Sequence, residues 1–338
     1  MAILLYNVPS DPGTGPDGTL VAEVFANFET SATIARLVNH IATYVPGFRG
    51  VNIADEGWEA HLPDERILNY TYGFGLLRDS VFPTFVLEAL RADYLGAPPE
   101  GLFLSANKPH VSELMSSLGF LCPGQHVVCE PLSRTAAEVI CRKLEGCEHV
   151  VLKPAYEESS LGLNLVPNDP AALVSAVAML YDFLPGTLLI QEYIDGLDVT
   201  VPVVGRTVPG CLPAVALQHN EPRKRPFVFT AELKATKASL HYEHIGSWPE
   251  ELRQRIYNMA LSAFRVSSQR DYSRLDCRVT PDGRCFFIEI NANPQLGLDK
   301  ASFAVSGKCA GMEVGEVVLA MIRDEPLPYG PSPLVAGL

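Results

Sequence analysis

The hydrophobic positions of this chain recur with two periods, and each change of period marks an element. Residues 3–8 run as a short apolar strand. In "SATIARLVNHIATYV" (31–45) the apolar residues return at helical spacing, which predicts an amphipathic helix. A short strand near Ile67 to Tyr70 and a helix over "FPTFVLEALRADYLG" (82–96) continue an α/β alternation. Pro, Gly and Asn then gather in "APPEGLFLSANKPH", so a boundary is expected near 100–107. Beyond it the pattern predicts a helix at "HVSELMSSLG", a strand from Gln125 to Cys129, a helix at "RTAAEVICRKLEG" and the strand "HVVLKP". "DPAALVSAVAMLYDFL" is a helix with an Asp-Pro start, and "GTLLIQEYI" is an apolar strand. "VTVPVVG" and "LPAVALQHN" read as antiparallel strands, followed by the basic, irregular segment 221–239. In "SWPEELRQRIYNMALSAFRV", Ser247 and Glu250 have capping-box spacing, and Leu252, Ile256, Met259, Ala260 and Ala263 form one apolar stripe. A last helix is expected near 313–322, before a Pro-rich tail.

The stretch "YSRLDCRVTPDGRCFFIEINANP" (272–294) departs from a simple core pattern. Asp282-Gly283 signals a two-residue hairpin turn, because a type I′ turn needs positive φ at both central positions. Counting back from that turn places Asp276 opposite Glu289 and Arg274 opposite Asn291, all on one face. Leu275, Cys277, Val279, Phe286, Ile288 and Ile290 fall on the other face, where a core is expected. Two carboxylates directly across a ladder repel unless a positive charge lies between them. Carboxylate and amide oxygens without Cys or His neighbours suit a hard cation, typically Mg²⁺ shared with substrate phosphates. A solvated sheet face with a chance Arg–Asp pair is the alternative reading of the same pattern.

Composition narrows the class. At 338 residues the chain has room for two or three domains. Its 47% hydrophobic and 19% charged residues describe a packed globular protein. A formal net charge of −13 argues against a nucleic-acid or anionic-membrane surface, so any phosphate must be held by local lysines and metal. The start "MAILLYNVPS" lacks a basic n-region, and no stretch approaches membrane-spanning length, so a cytoplasmic protein is expected. Eight cysteines without CxxC spacing are expected to be reduced.

A second chemical feature is "VVLKPAYEESSLGLNLV", where a strand ends in Lys153 and a small polar loop holds Ser159, Ser160 and Gly162. Such a loop can wrap phosphate oxygens with its amides while the lysine supplies charge. It is not a P-loop, and a plain surface turn fits it as well.

Taken in order, "SANKP", "VVLKPAYEESSLG", "LLIQEYIDGLDVTV", "ELKATK" and "SRLDCRV...FFIEINANP" resemble the ATP-grasp superfamily, in its D-alanine:D-alanine ligase branch. The resemblance runs from about Asn69 to Met312, and the thirteen-residue interval from Asp276 to Glu289 matches that family's pattern. It implies a mixed α/β (α+β) ATP-grasp fold in three domains, at 1–105, 106–188 and 189–325 with a tail at 326–338. ATP would lie between the central and C-terminal domains. Lys108 and Lys153 would contact the α- and β-phosphates, with Ser160 in the phosphate loop. Gln191, Tyr193 and Ile194 would form the hinge that reads adenine, and Asp198 would hold the ribose. Asp276, Glu289 and Asn291 would bind two Mg²⁺ ions, with Mn²⁺ as a substitute. Lys234 would meet the γ-phosphate, Ser159 would serve the catalytic loop, and Arg274 would stabilise the oxyanion of an acyl intermediate. The segment 221–239 would act as a lid.

The resemblance also implies small-molecule carboxylate and amine substrates, no nucleic-acid or membrane partner, and a homodimer. On the substrate side the sequence departs from the family. Glu158 replaces a glycine, Ala235 replaces a lid tyrosine, Gln295 replaces an oxyanion-hole glycine, and Lys300-Ala301, followed by Ser302, replaces a Ser-Leu pair. Glu29 is matched to the family's ammonium-binding glutamate. The expectation is therefore a ligase making a product other than D-Ala-D-Ala. A nucleotide-binding sensor without turnover and a ligase with a thiol or hydroxyl acceptor remain as alternatives.

Overall fold

The computed structural model describes residues 2–6, 30–62, 65–71, 77–156, 160–220, 226–228, 240–299 and 301–327. Among these the strands form three sheets, laid out in sequence order.

The first sheet is parallel, in the order β2-β1-β3-β4, from β1 (Ala2–Tyr6), β2 (Arg49–Asn52), β3 (Arg66–Tyr70) and β4 (Tyr94–Leu95). Its strands are apolar on both sides because both faces are covered. Helix α1 (Ser31–Ala42) buries Ile34, Leu37 and Ile41, and Thr30 and Thr33 close its start with a reciprocal cap. The helix expected over 82–96 instead spans Leu77–Ala89 (α2). Arg91 turns the chain at φ +52°, and Tyr94–Leu95 is drawn off as the edge strand against β3. The expected boundary near 100–107 is occupied by a helix, α3 (Pro99–Ala106), which breaks at Asn107 before α4 (Lys108–Ser117). The Asn107 side chain caps α4 by accepting from the His110 amide at 3.3 Å.

The second sheet, in the order β5-β8-β6-β7, is antiparallel. It joins β5 (Gln125–Val128), β6 (His149–Pro154), β7 (Asn164–Pro167) and β8 (Leu188–Glu192). Helices α5 (Arg134–Lys143) and α6 (Pro170–Phe183) cover one face through Ala137, Ile140, Leu173, Val177 and Leu180.

The third sheet carries the hairpin. Its main path is β12-β11-β9-β13-β14, with β10 (Gly210–Cys211) beside β9. The path comprises β9 (Leu197–Gly205), β11 (Val215–His219), β12 (Leu240–His244), β13 (Asp271–Val279) and β14 (Cys285–Ala292). Helix α7 (Glu250–Val266) packs Ile256, Met259, Ala260 and Ala263 against one face, as its stripe predicts. Its expected capping box does not form. Ser247 lies in a preceding 3₁₀ turn, Pro249 occupies the cap position, and Glu250 accepts from Gln254 at 2.7 Å instead. Two further helices follow, α8 (Ser302–Cys309), which the hydrophobic pattern did not suggest, and α9 (Val314–Arg323).

The hairpin register agrees with expectation at the site through two offsetting departures. The loop has three residues rather than two: Gly283 donates to the Thr280 carbonyl at 2.9 Å, and Thr280 donates to Arg284 at 2.9 Å. Gly283 takes φ +81°, the left-handed position of a three-residue hairpin. Alone, this would slip the pairing by one and put every later side chain on the opposite face. A bulge then inserts Ile288: Cys277 pairs with Phe287, but Asp276 pairs with Glu289 and Arg274 with Asn291. Between turn and bulge the faces of β14 alone are exchanged relative to expectation: Cys285 and Phe287 join the core under α7 with Cys277 and Val279, while Phe286, though buried, and Ile288 do not.

The first and third sheets meet at a buried ionic joint. Asp271, itself at φ +62°, receives Arg206 Nε at 2.7 Å, Arg206 Nη2 at 2.8 Å, Arg270 Nε at 3.2 Å and the Gly96 amide at 2.8 Å. Gly96 has φ +127°, and a Cβ there would lie 2.8 Å from Asn293 Oδ1, which accepts the Ala97 amide. Gly96→Ala should therefore destabilise the protein by about 1–3 kcal/mol, read as a lower urea midpoint.

Candidate active site

Directly paired residues share a face, so the site is built row by row. On β13 and β9, Arg278 stands opposite Asp198, Asp276 opposite Thr200, and Arg274 opposite Pro202. Across β14, Glu289 and Asn291 extend the last two rows. This face is opposite the one covered by α7, because Val199, Val201, Leu275 and Cys277 alternate into the core. Its far end is closed by the next row, Tyr272 and Val204, which pack with Phe303 of α8 and the core of the first sheet.

Asp276 is the most heavily engaged carboxylate. Arg274 donates Nε to Oδ1 at 2.9 Å and Nη2 to Oδ2 at 2.6 Å, and Asn291 Nδ2 donates to Oδ2 at 2.9 Å. Burial works against the Arg274 charge, but Asp276 outweighs it, and the guanidinium is held above its ordinary range. Tyr242, on the edge strand β12, presents a phenol to the same group. Burial pushes it up to about 12, Arg274 opposes the rise, Asp276 and Asp198 add to it, and Ser302 bonds to it. Ser302 begins α8 and is buried. Gln295 lies half-buried in the chain leading to that helix.

The lysines approach from the other units. Lys108 is the first residue of α4, and Lys153 lies on β6; both are buried. Burial lowers Lys153 to about 8, Glu289 works the other way, and Lys108 and Arg278 lower it further. Lys153 of the second sheet thus lies within electrostatic reach of Glu289 and Arg278 of the third, and of Lys108. Ser160 takes φ +63° in the turn after β6. Gln191 is buried on β8. Tyr193 accepts the Phe227 amide on its Oη at 2.8 Å and stands edge-on to His149.

The hydrophobic and motif patterns did not single out Arg278 or Tyr242. Arg278 donates Nε and Nη2 to the two Asp198 oxygens at 2.7 and 3.1 Å, and Nη1 to the Ile194 carbonyl at 2.8 Å. Its one sequence signal is a basic residue two positions beyond Asp276, hence on the same face of the strand. Ser159, Glu158, Lys234, Ala235, Glu29 and Lys300 lie outside the described residues.

The donor set fits a hard cation shared with phosphates better than a closed metal cage. Among the described residues no group of three or more His, Cys, Asp or Glu is placed to hold a metal. Two carboxylates and an amide leave coordination positions for phosphate oxygens and water. Thr200, on the Asp276 row, has a buried Oγ1 with no hydrogen-bond partner in the structure.

The family described as "D-ala D-ala ligase C-terminus" matches residues 132–323, more than half of the chain. This chain belongs to that family. Among its relatives, the uncharacterized protein y4sG of Sinorhizobium fredii is 28% identical over 238 residues, covering 69% of this chain and 66% of the relative. A D-alanine--D-alanine ligase of Aquifex aeolicus is 27% identical over 239 residues, covering 70% and 75%. The match thus spans about two thirds of the first relative's length. The fold is similar to that of the ATP-complexed D-alanine--D-alanine ligase of Bacillus anthracis, with TM-score 0.69, 19% identity and 96% of both chains covered. The D-alanyl-alanine synthetase A of Vibrio cholerae gives TM-score 0.73 at 16% identity, covering 96% of this chain and 97% of its own. The expected ATP-grasp fold of the D-Ala-D-Ala ligase branch is therefore the fold of this family member. No helix among the described residues is long and apolar enough to cross a membrane, and all eight cysteines are free thiols.

The lowered Lys153 gives a signed pH dependence. A lysine whose folded value lies near 8, below its ordinary 10.5, destabilises the fold while charged and ceases to do so as pH rises between those values. Lys153→Met should stabilise the ligand-free protein near pH 7 by on the order of 1–3 kcal/mol. The gain over the native protein should shrink toward zero by pH 10.5, as followed by denaturant titration at each pH.

Proposed function

We propose that the protein is an ATP-dependent carboxylate–amine ligase that works through an acyl phosphate and makes a product other than D-Ala-D-Ala. The observation that carries this reading is the single face bearing Arg274, Asp276, Glu289 and Asn291 opposite the buried Lys153. A site that only held a nucleotide would not call for a guanidinium locked beside the paired carboxylates.

In this reading Lys108, Lys153 and Ser160 hold the polyphosphate, and Lys234 joins them at the γ-phosphate. Gln191, Tyr193, Ile194 and Asp198 receive the nucleoside. Asp276, Glu289 and Asn291 would hold two Mg²⁺ ions, or Mn²⁺ in their place. When bound, these cations supply charge neutralisation at the phosphates. The substrate carboxylate attacks the γ-phosphorus, the β–γ bridging bond breaks, and ADP leaves. An amine then attacks the acyl carbon. Arg274, already turned toward this face, stabilises the oxyanion that forms before phosphate departs. Tyr242 is kept neutral, so it orients through hydrogen bonds and adds no charge beside Arg274.

Ser159 is assigned to the catalytic loop. Glu29, Glu158, Gln295, Lys300 and Ser302 are assigned to the substrates, and their chemistry supports a partner other than D-alanine. Glu158 adds a carboxylate and Gln295 a side chain where the resemblance implies glycine. The three sheets support three units, although β8 (Leu188–Glu192), which the sequence-based boundary at 188/189 divides, pairs within the second sheet.

ADP release should appear with Mg·ATP only when a particular carboxylate–amine pair is supplied, in a matrix of amino acids offered singly and in pairs. Glu289→Gln should abolish that release while leaving the circular dichroism spectrum intact. Full activity in this variant would overturn the assignment of Glu289.

We also propose a homodimer, supported by one exposed aromatic face on α2 and α3. Phe82, Phe85 and Phe103 are 65%, 50% and 46% exposed, and the Phe85 and Phe103 rings meet edge-on at 6.3 Å. Light scattering should give twice the chain mass, and Phe85→Asp should give the monomer mass.

A further inference from the structure

Arg278 joins three separate segments of chain at the nucleoside end of the site. It is 6% exposed. Besides Asp198 and the Ile194 carbonyl, its Nη2 donates to the Phe227 carbonyl at 2.8 Å. Its guanidinium carbon lies 5.2 Å from the centre of the Tyr193 ring, whose hydroxyl accepts the Phe227 amide. The last hinge residue, the first carboxylate of β9 and the chain near 227 are therefore oriented by one planar group.

Stability alone does not call for a guanidinium here. A buried ion pair contributes little net stability, and an apolar side chain of similar volume often does as well. What the planar fork adds is direction. Two parallel hydrogen bonds fix both the plane and the rotation of the Asp198 carboxylate, which a point charge such as lysine cannot do. Each carboxylate oxygen can accept more than one hydrogen bond, and the Asp198 side chain remains 33% exposed. Its remaining acceptor positions are thereby aimed outward, one row from Asp276.

We infer that Arg278 is a positioning residue for the nucleoside half of the nucleotide, and that by locking the Asp198 carboxylate it makes the vicinal sugar hydroxyls a group this site reads. This rests on the nucleotide reading proposed above. Without the guanidinium, Asp198 is a rotating, hydrated carboxylate that must be ordered anew for each sugar it meets.

The test is calorimetric titration of the full chain with Mg·ATP, Mg·2′,3′-dideoxy-ATP and Mg·tripolyphosphate, in the native protein, Arg278→Met and Arg278→Lys. The native protein should prefer ATP over its dideoxy analogue. In Arg278→Met that preference should fall by about tenfold, the worth of one hydrogen bond to a charged group. Tripolyphosphate, which has no sugar, should lose far less. Arg278→Lys keeps the charge without the fork and should recover only part of the preference.

An unmoved preference in Arg278→Met, or equal losses for all three ligands, overturns the inference. If Arg278→Met does not fold, Arg278→Lys decides, and a fully native preference there overturns it. A native protein that binds none of the three removes the nucleotide reading as well; one that binds ATP with an unmoved preference removes this inference alone.

Discussion

Two carboxylates in register on neighbouring strands, Asp276 and Glu289, set the condition that the surrounding structure meets. Like charges directly across a ladder are destabilising, more so on a half-buried face where water screens poorly. Each is met by its own cation. Arg274 grips Asp276 with two hydrogen bonds from the same strand, and Lys153 approaches Glu289 from another sheet. The second compensation links a strand of the second sheet to one of the third.

Compensation is uneven along the face, and the unevenness divides the labour. At the Asp198 row the carboxylate is bound by a buried guanidinium whose other hydrogen bonds go to backbone carbonyls, so geometry is fixed there. At the Asp276 row a buried hydroxyl of Thr200 has no partner, and Lys153 is held near 8, so this region favours an anionic guest. Arg274 is met by the neutral phenol of Tyr242, which also bonds to Ser302 at the start of α8. One sheet thus carries a rigid end at Asp198 and, one row on, a buried hydroxyl without a partner beside a firmly held carboxylate.

Stability and site geometry share their fixed points. Asp271 draws together Arg206, Arg270 and the Gly96 amide, and Asn293 accepts the Ala97 amide just after the strand that bears Asn291. The joint between the first and third sheets therefore lies next to the chemistry, and side chains there are constrained by both demands.

Much of this was legible in the sequence. Apolar periodicity located most helices and strands, because each must bury one face. The pairing of Asp276 with Glu289 was legible too, but it holds for a reason the sequence conceals. A three-residue turn and a bulge at Ile288 cancel: Pro-Asp-Gly is compatible with either turn length, and no residue type marks the bulge. Helix α8 escaped notice because its side chains divide between the first-sheet core and the site, which erases a single stripe. Arg278 escaped because its partners lie up to 84 residues away in sequence. Residue types and their alternation were enough to determine the donor chemistry and one shared face. Which cation meets which carboxylate was decided by tertiary structure, because Coulomb energy depends on distance through space and not along the chain.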